Sequence, residues 1–199
     1  MIELRKLVEE DENQIIIHLN NDDVVRFLSS RIPNPYTHED AQWWVNEGSK
    51  LEIIRAITFN GKFVGVIGVR RDTLEHSHRG EIGYWLGQPY WGKGIATQSI
   101  ELMCQKVFNK TDIIKLYAPV FSPNEGSKKV LIKNGFQLEG VITQGIFKNG
   151  IYYDEYIYCK SNHTRSKTIP HYVCSDAQKA RARFKGVIRK KSLINDPRS

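Results

Sequence analysis

The sequence predicts an α/β fold in which one domain carries a mixed sheet and packed helices. Residues 80–97 have the pattern of a strand, a tight glycine turn and the start of a helix. Asn-Gly pairs at Asn60-Gly61 and Asn149-Gly150 each join two apolar runs, which is the strongest short-range signal for a β-hairpin. A chain of 199 residues can also bury one good core with some length to spare. We therefore expect a single folded domain.

The segments before the central strand predict helices and a hairpin. Ile2, Leu4 and Leu7 indicate an opening strand, and a helical run extends from Ile15 to Leu28. Thr37-His-Glu-Asp40 is typical of a capping box, so a helix is expected to begin there. This helix carries Trp43 and Trp44, and we expect most of its aromatic side chains in the core. The first predicted hairpin consists of Glu52–Phe59 and Lys62–Arg71.

The second half of the chain is also predicted to alternate between helices and strands. The helix that follows the glycine turn is predicted to reach about Phe108. The next elements are a strand at Ile114–Val120, a helix at Asn124–Asn134 ended by Gly135, and closing strands at Gln137–Ile142 and Ile151–Cys159.

The glycine turn at Gly92 and Gly94 is a candidate anion site. Unpaired amides and the positive end of a helix dipole point the same way at such a turn, and phosphate is the natural ligand. The alternative is that glycines between a strand and a helix are required only for the conformation of the turn and bind no ligand. A dinucleotide site would need a third glycine near Gln98 and an acid at the end of Ile114–Val120, and both are missing. A Walker loop is excluded because no Gly-Lys-Ser or Gly-Lys-Thr occurs.

Two ordered motifs carry a family resemblance that covers about Ile2 to Lys160. Trp91-Gly-Lys-Gly-Ile-Ala96 resembles the pyrophosphate loop of the GNAT superfamily of N-acetyltransferases, with Trp91 in place of the usual Gln or Arg. Tyr90-Trp-Gly-Lys-Gly-x-Ala after Glu-Ile-Gly-Tyr-Trp-Leu, with Asn124-Glu-Gly-Ser127 and Lys133-Asn-Gly-Phe136, is similar to the RimJ/RimL branch of ribosomal-protein N-terminal acetyltransferases.

The resemblance implies a GNAT fold and acetyl-CoA as cosubstrate, without a metal. The fold has a mixed, mostly antiparallel sheet of about seven strands that splay at the centre, with helices on both faces. Pantetheine would lie in the splay, where it contacts the backbone near Leu86 and the side chain of Asn124. Asn124 is equally suited to cap a helix. The implied pyrophosphate contacts are Trp91, Gly92, Lys93, Gly94, Ile95, Ala96 and Thr97.

The implied reaction is direct acetyl transfer to an amine, which needs a base and a proton donor. Glu81 on the central strand is the candidate base, directly or through water; the alternative is an ion pair with Arg70, Arg71 or Arg79. Many GNAT enzymes have a tyrosine acid seven residues after the asparagine, but Leu131 stands there. Ser127 is the candidate partner of the thiol, with helix packing as its alternative role, and Tyr117 is a further candidate donor.

The acceptor is expected to be a primary amine. The branch resemblance favours the α-amine of a protein N-terminus. Its pKa of about 7.7 to 8.0, against about 10.4 for lysine, makes it easier to deprotonate near neutral pH. The alternative is a small-molecule amine such as a polyamine, an amino sugar or an amino acid. A homodimer is compatible with the resemblance, but the sequence does not decide it.

The charge is divided unevenly along the chain. The net charge is +7, and ten of the 29 basic but only two of the 22 acidic residues lie from Asn162 onward. The domain division is therefore predicted as an acetyltransferase domain at residues 1–161 and a basic extension at residues 162–199. We expect a solvated tail; the alternative is a basic helix at Ala177–Lys191 that binds RNA or the ribosome.

Three cysteines, at positions 104, 159 and 174, show neither Cys-x-x-Cys nor histidine spacing, so disulfides and structural zinc are not expected. The N-terminal segment has no apolar run, and no stretch of the sequence is apolar enough for a membrane span. We expect a cytoplasmic protein.

Overall fold

Seven strands form one twisted sheet in the computed structural model, which describes residues 1–162. The strands are β1 (Ile2–Arg5), β2 (Ile53–Phe59), β3 (Lys62–Arg71), β4 (Arg79–Leu86), β5 (Lys115–Phe121), β6 (Gln137–Lys148) and β7 (Ile151–Ser161). They are ordered β1-β2-β3-β4-β5-β7-β6 across the sheet. Only the central β4–β5 pair is parallel. The prediction of a mixed, mostly antiparallel seven-stranded sheet is confirmed.

Helices cover both faces of this sheet, as expected. They are α1 (Glu12–Leu19), α2 (Asp22–Val25), α3 (His38–Asn46), α4 (Ile95–Lys110) and α5 (Glu125–Lys133), with short 3-10 turns between some elements. One core lies under α4 and α5 and includes Ile82, Leu86, Ile100 and Leu116. The other lies under α1 and α3 and includes Ile15, Ala41 and Val66. The strands β2, β3 and β4 therefore supply residues to both cores, one from each face of the sheet.

Local chemistry explains where most elements begin and end. Thr37 caps α3 by accepting a hydrogen bond from Asp40 N, and the Asp40 carboxylate accepts one from Thr37 N. This is the predicted capping box. Gly135 follows α5 with a φ of 77°, as expected for a glycine stop. Both predicted Asn-Gly hairpin turns are present, at residues 60–61 and 149–150.

Three predictions about elements were incomplete or wrong. The helical run from Ile15 to Leu28 breaks into α1 and α2 because Asn21 caps α2, accepting hydrogen bonds from Asp23 N and Val24 N. The strand expected to end at Ile142 continues to Lys148 after an irregularity in its pairing with β7. Trp43 is 53% exposed and lies against Trp44, so it is the exception to the expectation that most aromatic side chains of this helix lie in the core.

The sheet opens between its two central strands. β4 and β5 pair only from Arg79↔Lys115 to Glu81↔Tyr117, although both strands continue for several residues beyond. The splay predicted from the resemblance is therefore present, with Glu81 and Tyr117 at its closed end. The slot lies between residues 82–86 and residues 118–121.

The basic extension, including the possible RNA-binding helix at Ala177–Lys191, lies outside the described residues, so the division at residue 161 stays a prediction.

The edge strand β6 and its neighbour β7 expose several large apolar side chains, among them Val141, Ile142, Phe147 and Tyr152. Packing of a second copy of the chain also stays a prediction.

Candidate active site

The glycine turn after β4 presents backbone amides at the start of α4. Gly92 and Gly94 adopt left-handed φ values of 73° and 74°, which side-chain-bearing residues rarely adopt. The first hydrogen bond of α4 runs from Gln98 N to the Gly94 carbonyl, so the amides of Ile95, Ala96 and Thr97 have no intrahelical partner. A Cβ placed at Gly92 or Gly94 would have no other atom within 4 Å. The turn therefore has open space on it, as an anion site requires.

The side chains of this turn are arranged around its entrance. Lys93 is exposed, with its Nζ 5.8 Å from the ring centroid of Tyr90. The indole Nε1 of Trp91 donates a 2.8 Å hydrogen bond to the Leu86 carbonyl. Trp91 therefore ties the end of β4 to the glycine turn. The Leu86 carbonyl, at the predicted place of the pantetheine contact, already accepts this bond.

A buried histidine lies behind the end of β4. His18 of α1 is surrounded by the rings of Phe63, Trp85 and Tyr90. Its Nε2 is buried without a hydrogen-bond partner, and burial lowers the pKa of the imidazole. A Cβ at Gly87 would lie 2.3 Å from His18 Cε1, so only glycine fits there without a shift of the ring. This packing fixes the path of the backbone from β4 into the turn.

Across the slot, Asn124 and Ser127 stand at the start of α5. The side-chain oxygen of Asn124 accepts a 3.1 Å hydrogen bond from Ser127 N, so the capping role is present. The Ser127 hydroxyl lies 2.9 Å from the Tyr84 hydroxyl on β4. Burial raises the pKa of Tyr84 to about 12, which keeps its hydroxyl protonated. The Tyr84–Ser127 pair thus places the predicted thiol partner beside the central strand.

Glu81 forms an ion pair at the closed end of the slot. The guanidinium of Arg70, its neighbour on β3, donates directly to the Glu81 carboxylate. The alternative role weighed for Glu81 is therefore realised in this structure. Glu52, exposed at the start of β2, also interacts electrostatically with Arg70.

Tyr117 is poorly placed as the proton donor. Its hydroxyl donates a 3.0 Å hydrogen bond to Asp72, whose other carboxylate oxygen accepts from Arg79 Nε at 2.6 Å. Burial raises the pKa of Tyr117 to about 12, and the hydrogen bond to Asp72 acts in the same direction. This network closes the base of the slot.

Sequence reasoning missed Glu155, a carboxylate on β7. Glu155 is half-buried and lies opposite Phe121 of β5 in the register. Burial raises the pKa of its carboxyl, and the negative charge of Glu81 raises it further. The signal in the sequence was a pair of adjacent acids, Asp154 and Glu155, within a strand rich in aromatic residues. Its relation to Glu81 appears only after the strands are paired.

A cavity of about 570 Å³ lies between α2, the segment that follows it and the β6–β7 turn. Its lining mixes the acids Asp22 and Asp23 with the bases Arg26 and Lys148. Lys148 Nζ donates hydrogen bonds of 2.8 and 2.6 Å to the carbonyls of Val25 and Leu28.

Lys148 also contacts an aromatic wall, defined as Phe27, Phe121 and Tyr153. The ring of Phe121 lies 5.6 Å from that of Phe27 and 5.5 Å from that of Tyr153, and Lys148 Nζ is 5.9 Å from its centroid. Lys148 therefore lies both in the cavity lining and beside the aromatic wall.

Among residues 1–162, no group of three or more His, Cys, Asp or Glu side chains is placed to hold a metal ion. In the same range, none of the helices is both long and apolar enough to cross a membrane.

Comparisons with known proteins agree with this geometry. The family model described as the acetyltransferase (GNAT) domain matches residues 2–137. The uncharacterized N-acetyltransferase YoaA of Bacillus subtilis is 30% identical over 164 residues, which cover 78% of this chain and 90% of YoaA. The ribosomal-protein-serine acetyltransferase of Escherichia coli is 30% identical over 100 residues, or 50% of this chain and 55% of the relative.

Among solved structures, RimL, a ribosomal L7/L12 alpha-N-protein acetyltransferase in complex with coenzyme A, superposes with a TM-score of 0.70 at 24% identity. The match covers 80% of this chain and 93% of RimL. At this identity the superposition establishes the fold, and the family match and YoaA establish the membership. The chain belongs to the GNAT family of acetyltransferases and is an N-acetyltransferase.

Proposed function

We propose that this enzyme transfers the acetyl group of acetyl-CoA directly to the α-amine of a protein N-terminus. The mixed charge of the cavity beside the aromatic wall carries the choice of acceptor. Arg26 and Lys148 offset the charges of Asp22 and Asp23, so the cavity has no excess negative charge to attract a polycation such as a polyamine, whereas an extended peptide offers a single ammonium and neutral amides. A cavity of about 570 Å³ has room for the first residues of a chain. The ribosomal-protein acetyltransferases among the relatives support the same acceptor class.

The residues of the slot fit acetyl-CoA. Amides of residues 92–97 bind the pyrophosphate, and Lys93 adds a charged contact at the entrance. The unpaired edges of β4 and β5 beyond Glu81 offer backbone groups to pantetheine, near Leu86 and Asn124. Acetyl-CoA supplies the activated acyl group.

Two predicted catalytic residues keep a role in this proposal. Glu81, held by Arg70, directs the acceptor ammonium to the closed end of the slot through its negative charge. Ser127, polarised by the Tyr84 hydroxyl, donates a hydrogen bond to the departing sulfur. Because a thiol has a pKa of about 8.5, the sulfur leaves without full protonation, and the contribution of Ser127 is modest.

We propose that the enzyme acts in the cytoplasm. The described thiols, Cys104 and Cys159, are both free and buried, as is common for proteins of a reducing compartment.

Thiol release with acetyl-CoA tests the acceptor class. The first acceptor is a peptide that begins with serine and has no lysine; the second is the same peptide with a blocked N-terminus and one added lysine; the third is spermidine. We expect the highest kcat/KM with the free α-amine. A preference for spermidine, or equal rates on the blocked peptide, would overturn the proposed acceptor while leaving the acetyl-CoA site standing.

A further inference from the structure

We propose that Glu155 is the general base that takes the proton from the acceptor ammonium, while Glu81 serves as the fixed charge beside it. This inference rests on the proposed function in one respect, namely that the acceptor is an amine. It assigns a catalytic role to a residue of β7, two strands away from the predicted base.

The sheet register places Glu155 on the acceptor side of the slot. Glu155 pairs with Phe121, the last residue of β5, and shares its face of the sheet. Alternation along β4 puts Glu81 and Trp85 on the same face, because Trp85 packs with the α1–α3 core. The two carboxylates thus face one space, bounded by the aromatic wall.

An irregularity in β6 lies directly beside Glu155. The register of β6 and β7 shifts between Ile142 and Ile146, and Gln144 adopts a φ of 53°. The shift brings Gly145 beside Glu155, where an added Cβ would lie 3.0 Å from the Glu155 Cβ. A side chain at this position would crowd the carboxylate. Such bulges often re-aim side chains next to active sites.

The neighbouring Asp154 holds this arrangement from the opposite face. Its carboxylate accepts a 2.9 Å hydrogen bond from Gln144 N, and its carbonyl accepts one of 3.0 Å from Ser122 N. The bulge and the end of β5 are therefore both tied to the residue before Glu155. These bonds hold the backbone of β7 immediately before Glu155.

Glu155 also has no hydrogen-bonding or ion-pair partner among the described residues. Within the described part of the chain it makes no hydrogen bond and no ion pair, whereas Glu81 is bound by Arg70. A carboxylate in an ion pair is a weak base because the pairing stabilises its charged form. Two carboxylates in different surroundings can thus have different roles: Glu81 as a fixed charge and Glu155 as the proton acceptor.

The charged groups around Glu155 favour proton uptake. Glu81 on β4 opposes a second negative charge, and Arg70 on β3 is engaged by Glu81. Tyr117 on β5 is neutral near pH 7 because its pKa is raised to about 12. Lys148 on β6 directs its ammonium to two backbone carbonyls.

The step balances with the residues named. Glu155 accepts one proton from the acceptor ammonium, and the freed nitrogen lone pair forms the bond to the acetyl carbonyl carbon. The carbon–sulfur bond breaks, and sulfur keeps its electron pair. The second proton leaves nitrogen and reaches sulfur with the help of the Ser127 hydroxyl. Glu155 then releases its proton to water.

The test is the pH profile of kcat/KM for a serine-initiated peptide in four enzymes: wild type, Glu155→Gln, Glu81→Gln and the control Glu139→Gln. Glu139 lies on the adjacent strand and pairs with Lys115. We expect Glu155→Gln to lower kcat/KM about a hundredfold or more. The fall of kcat/KM at low pH that is caused by protonation of an enzyme group should also be lost in this variant. Glu81→Gln should shift that fall to lower pH, because the charge that raises the Glu155 pKa is removed. Glu139→Gln should behave as wild type.

A wild-type profile in Glu155→Gln would overturn the assignment. An equal stabilisation of wild type and Glu155→Gln by acetyl-CoA shows that the variant is folded, and Glu155→Asp, which keeps the carboxylate, should retain part of the activity. If Glu155→Gln does not fold, Glu155→Asp with an unchanged rate and profile would be the contradicting result.

A second readout does not depend on the acceptor. Burial raises the pKa of Glu52 as well as that of Glu155. ¹³C NMR titration of glutamate carboxyls should therefore show, among the groups that titrate above the usual value of about 4.3, one that is absent from the spectrum of Glu155→Gln. If the wild type acetylates no peptide but this group is present, the proposed acceptor fails and the basic carboxylate stands. If Glu155 titrates in the usual range, the inference fails.

Discussion

Substitution of Gly94 by alanine, compared with a matched control, distinguishes loss of the proposed phosphate site from a loss of stability caused by backbone strain alone. Gly94 has a φ of 74° at the start of α4, and Gly61 has a φ of 78° in the β2–β3 turn. An added Cβ meets no other atom within 4 Å at either position. Gly94→Ala and Gly61→Ala should therefore carry the same strain, and only Gly94→Ala should disturb acetyl-CoA.

The strain can be expressed as a shift in melting temperature. A left-handed alanine costs about 1–2 kcal/mol. For a domain of this size, a cost of 1 kcal/mol lowers Tm by about 2–4 °C. Both variants should therefore melt about 2–8 °C below the wild type without ligand.

The effect of ligand is different in the two variants. Acetyl-CoA at about a hundred times its Kd stabilises the folded state by about 2.7 kcal/mol. If the methyl group weakens binding about tenfold, the same concentration gives only about 1.4 kcal/mol. The Gly61→Ala protein should keep the full gain.

A thermal-shift titration of the three proteins with acetyl-CoA and with free CoA measures these quantities. An undiminished ligand shift in Gly94→Ala would refute the assignment of the turn as the pyrophosphate site. A loss of the shift in both variants would show that strain, rather than the site, accounts for the effect.

Three further results are expected. Tyr84→Phe and Ser127→Ala should each lower kcat with peptide by less than about a hundredfold, and the double variant should be no slower than Ser127→Ala, because the hydroxyls act as one unit; additive losses would contradict this. Burial lowers the pKa of His18, so the unfolded state binds more protons and stability should fall below about pH 6.5. The free energy of unfolding, measured with urea as a function of pH, should fall less toward low pH in His18→Phe than in the exposed control His76→Phe. Equal pH slopes in the two variants would contradict this. Truncation after Asn162 should leave kcat/KM for peptide unchanged, because the proposed site lies within residues 1–162; a truncation that abolishes activity would assign the basic tail a role in catalysis.

The elements that the sequence predicted well are those with local causes. Asn-Gly turns, the Thr37 cap and the glycine turn before α4 depend on a few adjacent residues, and each is present where expected. The length of β6 could not be predicted, because its bulge is stabilised by Asp154 on another strand. Local pattern contains no information on that pairing.

The site was predictable only in part for the same reason. Asn124, Ser127 and the glycine turn could be placed from motif spacing. The competition of Arg70 for Glu81, the hydroxyl contact of Tyr84 with Ser127 and the position of Glu155 all depend on contacts between strands and helices far apart in sequence. These contacts decide which carboxylate is available to accept a proton.

Mass spectrometry of one peptide tests the central claim most directly. The peptide begins with serine, contains an internal lysine, and is incubated with the enzyme and acetyl-CoA before fragmentation locates the added acetyl group. We expect one acetyl group on the α-amine and none on the lysine. An acetyl group on the lysine side chain, or no acetylation while spermidine is acetylated in the same mixture, would contradict the proposal that the enzyme modifies protein N-termini.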